Sequence, residues 1–314
     1  MWEIFLKTLP FFALIGVGYG AGRTRFFTTE ATAYLTKFVF YFALSAMLFR
    51  FSANLSLAEI LDWQFVWAYL AGTMAVYLIV TAVALARKRS VEEAAVDAQC
   101  GEIGNVGLLG IPMLTLLFGE EAIGPNMLVL AVDLIVFGSL IVILITGSRD
   151  GRMSVGILRT VGLGLLKNPM IVSIVLGLAV SSTGYGLPQP VNEFVSILGA
   201  AATPGALFAI GASLATKSAE RVAVAGWLSF AKLVLHPGLV AFAAFVLFDV
   251  EPFAAGVMVA AAALPVAGNV YILAQHYGVA PQRVSASILI STAASILTVS
   301  AIIAWVAPSM GLGG

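Results

Sequence analysis

Five ionisable residues lie inside long apolar runs of the chain: Lys37, Asp97, Glu102, Asp133 and Lys232. At the centre of a bilayer each would cost about 2.5 to 3.5 kcal/mol on the insertion scale, so pairing, protonation or a water-filled cavity is expected. Two asparagines, Asn105 and Asn269, stand in apolar runs among glycine and proline. Amides, a lysine and carboxylates in this setting can hold an anion, neutralise it and exchange protons, which is a chemistry of binding rather than bond-making. The lone cysteine, Cys100, excludes an internal disulfide and a Cys-built zinc site. His236 and His276 form no spaced pair of the H-E-x-x-H kind. Neither glycine-rich phosphate loop is present, so ATP-driven work would need a separate subunit. The sequence predicts no enzymatic activity, no metal and no cofactor.

Two segments concentrate helix-breaking residues. CGEIGNVGLLGIPM, from Cys100 to Met113, contains Gly101, Gly104, Gly107, Gly110 and Pro112. AAALPVAGNVY, from Ala261 to Tyr271, contains Pro265, Gly268 and Asn269 at its centre. Pro112 removes a backbone donor and clashes with the carbonyl four residues before it, and in lipid each freed carbonyl costs several kcal/mol unless a polar group satisfies it. Two unwound helices that cross would present half-helix N-termini to an anion, with the Asn105 and Asn269 amides fixing its orientation. The candidate binding set is Asn105 and Asn269 with Gly104, Pro112, Pro265 and Gly268. The competing reading is a pair of proline kinks with asparagine joining neighbouring helices.

Lys232 and Asp133 fall near the midpoints of their runs. Opposite signs at one depth suggest either a structural ion pair or a substrate-binding lysine with its counter-ion. Glu102 shares a helix face with Asn105 at i, i+3, whereas Asp97 points elsewhere. Either carboxyl is a candidate for proton coupling, and the alternative for Asp97 is hydration or a partner in Arg87 or Lys88. Lys37 lies near a helix end, where its head can reach water. His236 is expected to be a satisfied packing histidine. The spacings Gly16 to Gly20 and Gly18 to Gly22 read as helix contacts.

The elements that must position these residues follow from composition. Of 314 residues 61% are hydrophobic and 10% charged, against roughly a quarter charged in a soluble domain. The net charge of zero leaves no nucleic-acid footprint. A span needs about 20 apolar residues, and ten runs qualify, near 4–22, 31–51, 63–86, 94–118, 123–147, 167–183, 190–216, 221–248, 254–277 and 283–307. With the N-terminus outside, twelve basic residues fall at the inner side, among them Arg152, Lys217, Arg221 and Arg283, against Lys7 and Arg50 outside. That bias predicts both termini outside. The acidic residues assigned to outer loops include Glu59, but acidic charge counts for little in that rule.

Landmarks recur 159 residues apart: Pro10 with Pro169, Gly18 with Gly177, Leu48 and Phe49 with Leu207 and Phe208, Gly119 with Gly278. Five spans in each half invert the second half relative to the first, an arrangement typical of alternating-access transporters. The expected organisation is a first repeat over 1–147, a short cytoplasmic linker over 148–166, and a second repeat over 167–314.

The chain also resembles the auxin efflux carrier family, which includes bacterial organic-acid permeases and plant auxin exporters. The resemblance rests on GNVGLLGIP (Gly104 to Pro112), Asn168 with Pro169, TPGALFAIG (Thr203 to Gly211), KLVLHP (Lys232 to Pro237) and LPVAGN (Leu264 to Asn269). It implies an all-α integral membrane protein of ten helices in two inverted five-helix repeats, related to sodium/proton antiporters and bile-acid symporters, with crossover helices 4 and 9. Ser45 stands where the family often has proline, which predicts a less distorted second span, and joins the candidate binding set on that resemblance. The expected activity is secondary transport of a small organic anion, malate- or malonate-like in preference to auxin-like. The membrane is a plasma membrane, the bacterial inner membrane being favoured. The partners are that anion and lipid, with a homodimer as the candidate assembly and no nucleic acid. The alternative is a monovalent-cation/proton antiporter or a sodium-coupled organic-anion symporter on the same fold. Antiport would need paired mid-membrane carboxylates, and only Asp133 is central by sequence.

Overall fold

The structure, a computed structural model, describes residues 2–54, 62–150, 155–216 and 222–311. Arg152, Lys217, Arg221 and Glu59 lie outside the described residues. Among the described residues every regular element is helical, apart from one antiparallel bridge between Gly104 and Val266. The first half runs α1 (Trp2–Arg23), α2 (Thr29–Phe38), α3 (Leu44–Ala53), α4 (Trp63–Ala86), α5 (Val91–Glu102), α6 (Ile111–Phe118), α7 (Ile123–Val132) and α8 (Gly138–Asp150). The second runs α9 (Val155–Lys167), α10 (Pro169–Ser181), α11 (Gln189–Ala200), α12 (Ala202–Leu214), α13 (Val222–Phe230), α14 (His236–Phe242), α15 (Pro252–Ala262), α16 (Gly268–Tyr277) and α17 (Pro281–Val306). Where the apolar runs end, polar residues cap the helices. Asp62 accepts from Gln64 and Phe65, Ser90 and Glu93 form a capping box on α5, and Glu251 accepts from Phe253 and Ala254.

Among the described residues six continuous segments are long and apolar enough to cross a membrane: Thr29–Ala53, Trp63–Ala86, Glu120–Arg149, Gln189–Leu214, Val222–Leu247 and Pro281–Val306. The expected spans 94–118 and 254–277 do not appear as single helices because each is divided near its middle, leaving the shorter apolar helices Val106–Phe118 and Pro252–Ala262. The stretch expected as a linker is helical from Val155, and Arg159–Lys167 meets Pro169–Ser181 at 73°. Asn168 and Pro169 account for that corner, since proline fits the first turn of a helix but cannot continue the previous one.

π-helical turns interrupt several long segments: Val39–Ala43, Val106–Gly110, Asp133–Phe137, Ala231–Leu235 and Ala243–Leu247. Such turns gather at functional positions in helices, and here two of them contain Asp133 and Lys232. The first lies just before Ser45, so the segment expected to be the less distorted is widened even without proline. Ser45 Oγ follows that widening by donating to the carbonyl of Phe40, five residues back, at 3.1 Å.

The helices pack as two groups. In the first, α1 lies on α12, α2 on α12, and α3 on both α10 and α11. In the second, α4 packs on α5 and α14, α13 on α17, and α15 on α7, α14 and α17. Small residues set the closest approaches in the first group. A Cβ at Gly18 would run into the backbone of Phe208, and one at Gly177 into the carbonyl of Phe49, so only glycine fits. The Gly18 to Gly22 spacing is a helix contact, as expected, whereas Gly16 and Gly20 meet nothing within 4 Å.

Candidate functional site

The second group is built around two interrupted helices that touch at their breaks. After Glu102 ends α5 the chain turns extended at Ile103 (φ −72°, ψ 109°), and after Ala262 ends α15 it is irregular until Gly268 opens α16. Asn105 N donates to Pro265 O at 2.9 Å, and Ala267 N donates to Ile103 O at 3.1 Å. A third released donor, Val266 N, reaches Ser291 Oγ on α17 at 3.1 Å. Each break thus supplies bonds the other lost, the condition for irregular backbone at membrane depth. A Cβ at Gly104 would sit 3.2 Å from Ala261 O and 3.3 Å from Lys232 Nζ, so the crossing is tight and the lysine is beside it.

Pro265 lies in its break as expected. Pro112 does not: it lies inside the continuous helix Val106–Phe118, just past the π-turn Val106–Gly110. The interruption comes earlier, at 103–105, among residues whose bonds go to the other break. Asn105 and Asn269 flank the bridge. The Asn105 side chain is buried and does not cap the turn that follows it, and Asn269 Oδ1 is buried without a partner. Gly268, at the N-terminus of α16, is exposed. Ser45 belongs to the first helix group, half-buried and bonded within its own segment, and is not part of the bridge.

Behind the crossing lie three buried ionisable residues. Lys232 Nζ donates to Ala262 O, placing its head group on the C-terminal end of α15, where the helix dipole favours a cation. It also contacts His236 Nδ1 at 3.0 Å, and His236 Nε2 contacts Thr73 Oγ1 at 3.1 Å. Asp133 Oδ1 accepts from Tyr69 Oη at 2.7 Å. Glu102 Oε1 accepts from Gln99 Nε2 at 3.0 Å, and the same nitrogen donates to Phe137 O at 2.8 Å. Glu102 Oε2 and Asp133 Oδ2 are buried and unpartnered. Among the described residues Lys232 makes no ion pair within 4 Å, which corrects the Lys232–Asp133 pair considered from sequence. The lysine's bonds are taken by Ala262 and His236, and the aspartate is engaged by Tyr69. Their charges, with that of Glu102, still act on one another.

Asp97 belongs to a different cluster. Its carboxylate takes Arg283 Nη1 at 2.8 and 2.7 Å, while Arg283 Nη2 bonds Glu93. Neither Arg87 nor Lys88 is its partner, and Arg283, counted by sequence among the inner-side charges, is 3% exposed at the start of α17. Burial raises the Glu93 carboxyl, but the hydrogen bond and charge of Arg283, with help from the Ser90 backbone and Arg89, hold it below its ordinary range. Nearby, Arg149 bonds both Glu92, at 2.9 Å, and the carbonyl of Tyr277, at 2.6 Å. Lys37 is exposed, 5.6 Å from the ring centre of Tyr34, as a lysine reaching for water should be. Sequence reasoning missed Tyr69, Thr73, Gln99 and Ser291; the i, i+4 spacings of Tyr69 with Thr73 and of Lys232 with His236 were the available signal.

Residues 3–303 match a family model described as membrane transport protein. A Rhizobium meliloti (strain 1021) protein named "Putative malonate transporter" is 31% identical over 309 residues, 96% of each chain. The mouse "Lysosomal cholesterol signaling protein" is 26% identical over 228 residues, which is 68% of this chain and 26% of that protein. With helices fit to cross a membrane and the family's segments at both breaks, the chain belongs to the membrane transport protein family, the auxin efflux carriers its motifs resemble, and is a multi-pass transmembrane transporter.

Proposed function

We propose that the chain is a secondary active transporter of small organic anions, carboxylates of the malonate or malate kind, working by alternating access. The observation that carries this reading is the bridge between the two helix breaks, Asn105 N to Pro265 O and Ala267 N to Ile103 O. Beside it are a buried lysine on a helix C-terminus and an unpartnered amide oxygen at Asn269. In the proposed roles Asn105 and Asn269 bind the carboxylate, Gly104, Gly268, Pro112 and Pro265 shape its surroundings, and Lys232 offsets its charge. Glu102 and Asp133 are the proposed coupling groups. Asp97, held by Arg283, supports the fold at one end, and Ser45 lines the facing surface of the first helix group. The relative named for malonate supports the choice of anion.

The proposed architecture is ten crossings in two inverted repeats, 1–147 and 167–314, with both termini external and the second helix group moving against the first as an elevator. Reciprocal contacts at the 159-residue offset support it: Gly18 meets Phe208, and Gly177 meets Phe49. The second halves of both divided helices also end on a glycine of positive φ, Gly119 at 91° and Gly278 at 69°. A second reading, cation/proton antiport, is favoured by the unpartnered Glu102 Oε2 and Asp133 Oδ2. Proteoliposomes loaded with malonate and assayed for labelled-malonate exchange, then for uptake under imposed proton or sodium gradients, test both. Saturable exchange supports the anion carrier. Cation-driven proton movement with no organic-acid exchange would overturn it in favour of antiport.

A further inference from the structure

Lys232 and Asp133 are not in contact, yet three polar side chains join them in a row. Lys232 Nζ meets His236 Nδ1 at 3.0 Å, and His236 Nε2 meets Thr73 Oγ1 at 3.1 Å. Thr73 lies one turn after Tyr69 on α4, its hydroxyl close enough to act on the Tyr69 phenol, and Tyr69 Oη meets Asp133 Oδ1 at 2.7 Å. All five residues are buried, none more than 3% exposed. With Lys232 an ammonium and Asp133 a carboxylate, the sense of each bond follows. An ammonium only donates, so His236 Nδ1 accepts and Nε2–H donates to Thr73. A carboxylate only accepts, so the Tyr69 proton points at Asp133 and the phenol oxygen is left to accept from the side of Thr73. Every donor therefore points from Lys232 towards Asp133.

We propose that this row is a proton path between the crossing and the buried carboxylates, through which Lys232 is an ammonium when an anion is bound and gives up its proton to become an amine when the empty carrier reorients. The inference rests on the organic-anion reading above. In one shift an N–H bond of Lys232 breaks as one forms at His236 Nδ1, and the Nε2–H bond breaks as an O–H bond forms at Thr73. The former Thr73 proton passes to Tyr69, and the former Tyr69 proton to Asp133 Oδ1. An ammonium and a carboxylate become an amine and a carboxylic acid. Imidazole, hydroxyl and phenol keep their proton counts, and no centre is oxidised or reduced. Returning the proton reverses each exchange and restores the imidazole tautomer. Two further titratable groups face the row, Glu102 from α5 and Tyr77 from α4; the charge of Glu102 acts on Asp133, Lys232 and both tyrosines. Glu102 Oε2 and Asp133 Oδ2, buried and unpartnered, leave acceptor positions for a proton to enter or leave the row.

The path makes exchange and net transport separable. Malonate-for-malonate exchange never reorients the empty carrier and so needs no proton shift, while net uptake reorients it in every cycle. Thr73→Val keeps the branched shape and removes the hydroxyl, so it should leave exchange near the wild-type rate and slow proton-driven net uptake by about tenfold or more. Thr73→Ser should restore net uptake. The wild type gives a second measurement that needs no variant: net malonate uptake slows in D2O while exchange does not. Proton-driven uptake by Thr73→Val at the wild-type rate, or equal slowing of both modes in D2O, overturns the path and leaves the carrier reading standing. Wild-type protein that exchanges neither malonate nor malate overturns the carrier reading and the path with it.

Discussion

An amide oxygen shut away from water and left without a partner is costly unless something else fills its bonds. Asn269 Oδ1 is such an atom, and Asn105, across the bridge, leaves its own side chain out of the cap it could make. Asn105→Ala and Asn269→Ala should each abolish measurable malonate exchange, since each bond to a charged ligand contributes about 1.5 to 3 kcal/mol. Yield and monodispersity should stay near normal, because neither change opens a packed core. Exchange at the wild-type rate by either variant would assign that asparagine to helix packing. Both asparagines and Lys232 were legible in the sequence, where Gly, Pro and Asn coincide twice in comparable places. Tyr69 and Thr73 were not, because one hydroxyl in an apolar helix looks the same whether it bonds its own carbonyl or a residue about 160 positions away.

Among the elements, α17 ties together several that are far apart in the chain. Its first turn carries Arg283 to Asp97 and Glu93, and its middle carries Ser291 to the backbone of the second break. Arg283→Met leaves Asp97 as a buried, uncompensated charge, a change that costs about 3 to 5 kcal/mol. The expected result is a large fall in detergent melting temperature and in yield. The Glu93 part of the cluster has a defined pH dependence. Its folded carboxyl is held below the ordinary range, so its contribution is present at neutral pH and is lost as pH falls from about 4.3 through the lower folded value. Glu93→Gln should flatten that acid limb of the melting curve and leave the neutral plateau lower; an unchanged limb would mean that other carboxylates set it. The breaks in the two divided helices were foreseeable from Gly and Pro, but their positions were not. Pro112 sits inside the helix Val106–Phe118, while the gap at 103–105 depends on bonds to Pro265 and Ala267, which no local pattern encodes.

For the whole molecule, the contacts that define the site join distant parts of the sequence. Asn105 binds Pro265, Asp97 binds Arg283 across 186 positions, and Gly18 fits against Phe208. Segments 1–147 and 167–314 expressed together as separate chains should therefore associate and exchange malonate, whereas either alone should be degraded; full activity from one half would sink the two-repeat reading. The bridge between the breaks also has a consequence for biosynthesis. When the first half leaves the ribosome, Ile103 and Asn105 have no partners for their released backbone groups, and Asp97, Glu102 and Asp133 have neither Arg283 nor Lys232 near them. They must wait in the insertion machinery, or beside a chaperone, until about 160 further residues have been made. Slowing translation after the first half, with rare codons between 167 and 232, should lengthen that wait and appear as more proteolysis of the nascent chain, even though the finished protein would be the same.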